Sequence, residues 1–175
     1  MSTDPHEIIS TFPHDLEIVK ELVYDKCGFD LINLQLNKEG KEYGATSYNL
    51  NGKIIQHRVS KITPAKTGQF VTIWKRNRNG ITEPYHISDK LDFIIISVKN
   101  GDKLGIFIFP TLILADKGII AQNDKGGKRG IRIYPPRDMV SSKQAKETQS
   151  WQTRYFMMIY PENSTDLNLA RKLLA

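Results

Sequence analysis

The sequence predicts an α/β (α+β) protein with a central mixed β-sheet flanked by helices. Three observations lead there. Asp92–Lys99 (DFIIISVK) and Leu104–Phe109 (LGIFIF) are apolar on both alternating faces, as strands at the centre of a sheet are. Asn51-Gly52 and the Asn100-Gly101-Asp102-Lys103 stretch mark hairpins, because Asn and Gly tolerate the positive φ of tight turns. Helical periodicity alternates with these strands, in the order helix, meander, hairpin, helix, strand, helix.

Taken in order, residues 1–13 form a polar leader containing Pro5 and Pro13. Asp15–Lys26 reads as a helix: Asp15 and Glu17 suit its positive end, Leu16, Val19, Leu22 and Val23 make an apolar stripe, and Gly28 stops it. Lys41–Leu50 and Lys53–Ile62 are the arms of the Asn51-Gly52 hairpin. The second arm divides into Ile55, His57 and Val59 on one face and Gln56, Arg58 and Ser60 on the other, a polar, basic face open to a ligand. Thr63–Gly68 is a turn, with φ fixed at Pro64 and free to be positive at Gly68. Gln69–Lys75, with Val71 and Ile73 on one face and Phe70 and Trp74 on the other, completes a three-stranded antiparallel meander as a strand covered on both sides. Residues 77–89 are loop. Pro110 opens a short helix, Thr111–Lys117, that Gly118 ends. A flexible basic loop, Asn123–Gly130, leads into the strand Gly130–Tyr134 and a stop at Pro135-Pro136. Lys143–Ile159 reads as a long helix with Thr148, Trp151, Gln152, Tyr155 and Ile159 on one face. Ser164 or Thr165 caps a last helix, Leu167–Leu174.

The 175 residues suffice for one domain with its own core. The net charge of +6 is unevenly placed: residues 38–137 carry 18 Lys/Arg against 8 Asp/Glu, residues 1–37 carry 2 against 7. A basic centre behind an acidic leader points to a polyanion, most simply nucleic acid. Cys27 is the single cysteine, which excludes an internal disulfide and a cysteine-rich zinc site. His6, His14, His57 and His86 have no metal-ligand spacing. The N-terminus lacks a secretory pattern, and no apolar run approaches the ~20 residues of a membrane span. A soluble cytoplasmic protein, monomeric or weakly dimeric, is expected.

Arg58, Lys61, Lys66, Lys75, Arg76, Lys128, Arg129 and Arg132 are the candidate phosphate contacts, to be gathered in one groove. The loop Lys125–Gly130 (KGGKRG) offers cations and accessible amides of the kind that grip phosphate, without P-loop spacing. Trp74 and Trp151 stand at core-periodic positions, His57 reads as a structural histidine, and Cys27 as a small hydrophobe. For catalysis, Asp92 stands where the first acid of a metal-dependent nuclease would, with Glu83, Asp89 and Glu42 as partner acids. Such an enzyme needs two or three carboxylates on Mg²⁺ and a lysine beside the attacking water. Lys61 is the candidate lysine, but Val59 occupies the position of its acid, and Leu104–Phe109 offers no acid-x-lysine pair. No cofactor is expected, unless displaced acids gather Mg²⁺ around Asp92.

ITPAKTGQFVTIWKR (62–76), LDFIIISV (91–98), LGIFIFP (104–110), GKRGIRIYPP (127–136) and KETQSWQTRYF (146–156) together resemble the MepB-like family. The resemblance runs from about Tyr43 to Tyr160 within a single domain over 1–175, and leaves out the leader and an extension at 161–175. It implies a small bacterial cytoplasmic protein; the family's namesake is encoded beside a multidrug efflux pump and its repressor. It also implies a PD-(D/E)XK restriction-endonuclease-like fold with a cleft facing nucleic acid, its core at hairpin 92–109, helix 111–117 and strand 130–134. Only Asp92 matches the nuclease pattern. The expected function is binding of the nucleic-acid backbone in a basic cleft with a degenerate catalytic motif. The alternatives are a Mg²⁺-dependent nuclease with displaced acids, or a non-catalytic regulatory module linked to efflux.

Overall fold

The computed structural model describes residues 13–37, 44–162 and 165–175. The polar leader, Glu42 and Ser164 lie outside the described residues. The first helix, α1, spans 14–27 and includes a π-helical turn at Lys20–Tyr24; Gly28, at φ 75°, ends it. Strands β2 (Thr46–Leu50) and β3 (Lys53–Val59) form the expected Asn51-Gly52 hairpin, with Asn51 and Gly52 at φ 50° and 79° in its turn, and β1 (Leu31–Leu36), a strand the sequence reading left unassigned, pairs with the other edge of β2. Strands β8 (Phe93–Asn100) and β9 (Lys103–Pro110) form the apolar hairpin. They belong to one six-stranded mixed sheet in the order β1-β2-β3-β8-β9-β11, β11 being Phe156–Ile159, with β3 and β8 parallel. Six consecutive residues of each hairpin strand are buried, the pattern expected of strands covered on both faces.

One face of this sheet packs under α1 and the C-terminal helix α4 (Asn168–Leu174), with Leu16, Val19, Tyr24, Ile95 and Ile106 in the shared core. The other face packs under a second layer built from the β3–β8 crossover and from the chain that follows β9. That layer holds a three-stranded sheet, ordered β10-β5-β4, of β4 (Lys61–Ile62), β5 (Gln69–Thr72) and β10 (Gly130–Ile133), and a ribbon of β6 (Trp74–Arg76) and β7 (Thr82–Pro84). Helices α2 (Thr111–Asp116) and α3 (Lys143–Gln152) complete it.

Three expectations change. Lys53–Ile62 and Gln69–Lys75 do not form one meander: only their facing ends, Lys61–Ile62 and Gln69–Phe70, pair, and they do so in the separate small sheet. The chain leaves the large sheet at Ser60, whose amide donates to Ser97 O at 3.0 Å, and β8 takes the place beside β3. Gln69–Lys75 is not one strand either: it breaks at Ile73, whose amide donates to Arg129 O at 2.8 Å. The predicted helix Lys143–Ile159 ends at Gln152. A 3₁₀ turn, Thr153–Tyr155, follows, and β11 (Phe156–Ile159) pairs antiparallel with β9. Phe156-Met157-Met158-Ile159 fits either periodicity, and the open edge of β9 decides for strand.

A chain of buried polar groups crosses the α1 face. Tyr24 Oη and Tyr48 Oη are 2.6 Å apart, Tyr48 Oη is 2.8 Å from His57 Nδ1, and His57 Nε2 is 2.8 Å from Ser97 Oγ. Every group finds a partner, which is what makes such burial tolerable. Burial raises the Tyr24 and Tyr48 phenols, and burial followed by the charge of Arg58 lowers His57 to about 3, so its imidazole is neutral.

Candidate nucleic-acid interface

Strand β10 alternates. Ile131 and Ile133 enter the core, while Arg132 and Tyr134 stay half-exposed on the outer side of the small sheet. In β5, Val71 is buried and Phe70 shares the outer side. The register sets Phe70 opposite Lys61 on β4 and opposite Arg132 on β10, so one row across the sheet reads Lys61, Phe70, Arg132. Neighbouring strands lie about 4.8 Å apart, so each cation flanks the ring at one strand's spacing.

Two glycines let aromatic rings lie against the backbone here. A Cβ on Gly130 would stand 2.5 Å from Phe70 Cζ, and one on Gly68, which has φ 84°, would stand 2.7 Å from Tyr134 Cδ1. Arg132 braces the preceding turn, donating through Nη1 to Thr67 O at 3.1 Å and through Nη2 to Thr63 Oγ1 at 2.9 Å. That holds the turn bearing the exposed Lys66 at the same edge.

Helix α3 walls the outer face, leaving a groove of about 360 Å³ against β10. Ser142 caps the helix, its Oγ accepting from Ala145 N at 3.1 Å. Lys117, Lys128 and Arg132 line the groove together with Phe70, Tyr134 and Trp151, and no carboxylate lines it. Trp151 leans on Phe109, ring centroids 5.5 Å apart, and Lys117 Nζ lies 5.7 Å from the indole centroid.

The predicted cations therefore separate. Lys61, Lys66, Lys128 and Arg132 gather on the small sheet, and Lys117, which the sequence reading did not single out, joins them. Arg129 and Arg76 sit at the β6–β7 ribbon. Arg129 donates to Thr82 O at 3.0 Å, Arg76 to Gly80 O at 2.6 Å, and the Arg76 guanidinium lies 5.3 Å from the Trp74 ring centroid. Lys75 is held by two acids, Asp89 at 2.6 Å and Glu83 at 3.5 Å. Burial lowers its pKa, but the bond and charge of Asp89 and the charge of Glu83 outweigh this and leave it raised.

Arg58 is a correction. It is only 5% exposed and lies under Tyr85, so it is not a surface phosphate contact. Its guanidinium donates to His57 O at 2.9 Å, Gln56 Oε1 at 3.1 Å and Tyr85 Oη at 3.3 Å. The polar face of β3 is thus only partly open: Gln56 reaches solvent, while Arg58 and Ser60 are covered. The Gly-rich loop is corrected too, since its amides are committed internally: Lys125 N to Gln122 O, Gly127 N to Gly118 O and Lys128 N to Ile119 O, each at 2.9 Å.

Of the described candidate acids, Glu83 and Asp89 meet across Lys75, and Asp92 is engaged elsewhere. The Asp92 carboxylate accepts from Ile54 N at 2.8 Å and ties the start of β3 to that of β8. Glu83 and Asp89 both face Lys75, and Asp89 also accepts from His86 N at 2.8 Å. Among the described residues no group of three His, Cys, Asp or Glu side chains converges as a metal site would require.

No helix among the described residues is long and apolar enough to cross a membrane. The family model described as MepB-like matches residues 37–158, more than half of the chain. No curated protein matches the sequence. Among solved structures, the crystal structure of MepB is similar, with a TM-score of 0.72 and 29% identity over 84% of this chain and 97% of that one.

Proposed function

Because the chain belongs to the MepB-like family, we propose that it binds nucleic acid on the outer face of its small sheet, through the phosphate backbone and without cleaving it. Lys61, Lys66, Lys117, Lys128 and Arg132 neutralise phosphates, and the side chains that α3 turns to the groove add no negative charge beside Lys117, Lys128 and Arg132. The observation that carries this reading is the groove between β10 and α3, where three cations and three aromatic rings meet with no carboxylate among the lining residues. Three other cavities each have acids in their lining, Asp138, Glu162 and Glu17 among them. Asp92 supports the non-cleaving half of the reading, since one of its oxygens accepts a backbone amide while Glu83 and Asp89 face Lys75.

The test is binding of labelled duplex and single-stranded oligonucleotides across a salt series. Each phosphate contact contributes about −0.9 (duplex) or −0.7 (single strand) to the slope of log K against log salt. A slope of several units is expected, and affinity indifferent to salt overturns the proposal.

A further inference from the structure

We infer that the groove takes single-stranded nucleic acid, with bases stacking on Phe70 and Tyr134 between phosphates held by Lys61, Lys128 and Arg132; this rests on the reading just given. The distinction lies in where the rings are. Phe70 stands in the row between Lys61 and Arg132, one strand's spacing from each, so a chain crossing the sheet meets cation, ring and cation in turn. Tyr134 follows Arg132 on the same side and lines the same groove. Each ring rests one side on a glycine, Phe70 on Gly130 and Tyr134 on Gly68, and both remain part-exposed. A duplex keeps the faces of its bases stacked within itself and would use only the cations. A single strand presents bases that any aromatic ring can stack on, whatever the sequence. The alternation of basic and aromatic side chains on an exposed sheet is thus matched to unpaired bases. Trp151, at the helical wall of the groove, lies close enough to report occupancy.

The experiment compares oligo(dT) and oligo(U) of about twenty nucleotides with a duplex of the same length, read by anisotropy and, in a Trp74→Phe background that leaves Trp151 as the one tryptophan, by quenching of its fluorescence. Wild type is expected to bind the single strands about tenfold more tightly than the duplex, and Phe70→Leu and Tyr134→Leu each to lose about tenfold for single strands with little change for duplex. Leucine keeps the apolar bulk over the glycines, and an unchanged circular dichroism spectrum establishes that each variant folds. Equal, salt-dependent affinity for both forms, unmoved by the ring substitutions but reduced by Lys128→Glu, overturns the single-strand inference while leaving backbone binding intact. Absence of salt-dependent binding to either form removes both.

Discussion

Gln152 closes the edge of β10 against Tyr134: its Oε1 accepts from Tyr134 N at 2.9 Å while its Nε2 donates to Arg132 O at 3.0 Å. One buried amide stands in for a neighbouring strand and fixes α3, and with it the groove wall, to the small sheet. Gln152→Ala leaves a backbone donor and a backbone acceptor without partners, a cost of about 2–4 kcal/mol. Gln152→Glu can still accept from Tyr134 but cannot donate to Arg132 O, and places a charge in a buried site, so it is no milder. Urea denaturation of the two variants checks this. A Gln152→Ala chain of wild-type stability would assign the anchoring to Trp151 on Phe109 alone.

The buried His57 makes stability depend on pH. Its pKa falls from 6.5 to about 3 on folding, so between those values the unfolded chain binds a proton that the native chain refuses. Stability from this group is fully present above pH 6.5 and declines as pH falls toward 3. The decline is about 1.4 kcal/mol per pH unit, or about 2 kcal/mol between pH 7 and pH 5. Denaturation midpoints at those two pH values, compared with His57→Gln, isolate the effect, because the variant loses the slope attributable to the imidazole.

These residues also mark how far the sequence could be read. The hairpin of β8 and β9 was legible because strands buried on both faces need apolar residues at every position, and the Asn51-Gly52 turn because it needs two positive φ values. His57 was legible as structural because it alternates with Ile55. The parallel pairing of β3 with β8 was not, since it depends on a crossover of some thirty residues (60–92) and not on any local pattern. Lys143–Ile159 failed at Phe156 because an apolar run beside an open strand edge gains more from the ladder than from another helical turn. At the site, Arg132 was legible as a candidate contact, but the part-exposed rings were not: Phe70 sits in a segment apolar on both alternating sets, which reads as a strand covered on both sides. Arg58 lay on an alternating polar face and misled, because the chain that covers it, ending in Tyr85, reads as loop.

Arg58 consequently separates stability from binding. Its partners among the described residues are neutral, and burial lowers its pKa, with Tyr85 opposing the shift. Arg58→Ala leaves Tyr85 and His57 O without their donor and opens space in the second layer, a loss of about 2–3 kcal/mol. At temperatures where the variant remains folded, affinity for nucleic acid should match wild type. A tenfold loss of affinity in folded Arg58→Ala would place the guanidinium at the interface after all.

Asp92 is predicted to matter for folding and not for chemistry. Its carboxylate caps Ile54 N, and its own amide donates to Ile54 O at 2.9 Å, so the side chain secures the start of the parallel pair. Asp92→Ala should cost about 1–2 kcal/mol, and Asp92→Asn, which keeps an acceptor oxygen, less than half of that. Equilibrium unfolding of the pair decides it: equal losses in both would show that the charge, and not the hydrogen bond, is what position 92 supplies.

Position by position, the salt dependence of binding should sort the cations as the geometry does. Lys66→Ala, Lys117→Ala and Lys128→Ala each remove one phosphate contact, and each should lower the log–log slope for a single strand by about 0.7. Lys75→Ala should leave the slope unchanged, because Asp89 at 2.6 Å and Glu83 at 3.5 Å already neutralise that amine. It should instead lower stability, since it strands two half-buried carboxylates beside each other. The contrast is sharper than any single loss of affinity: all four substitutions remove the same formal charge, so a polyanion that responded only to net charge would register them alike. Equal slopes for Lys75→Ala and Lys128→Ala would therefore mean diffuse attraction to a basic protein. Unequal slopes in the stated order require phosphates seated along the groove between β10 and α3, which Lys117 and Lys128 line, and past the turn that carries Lys66.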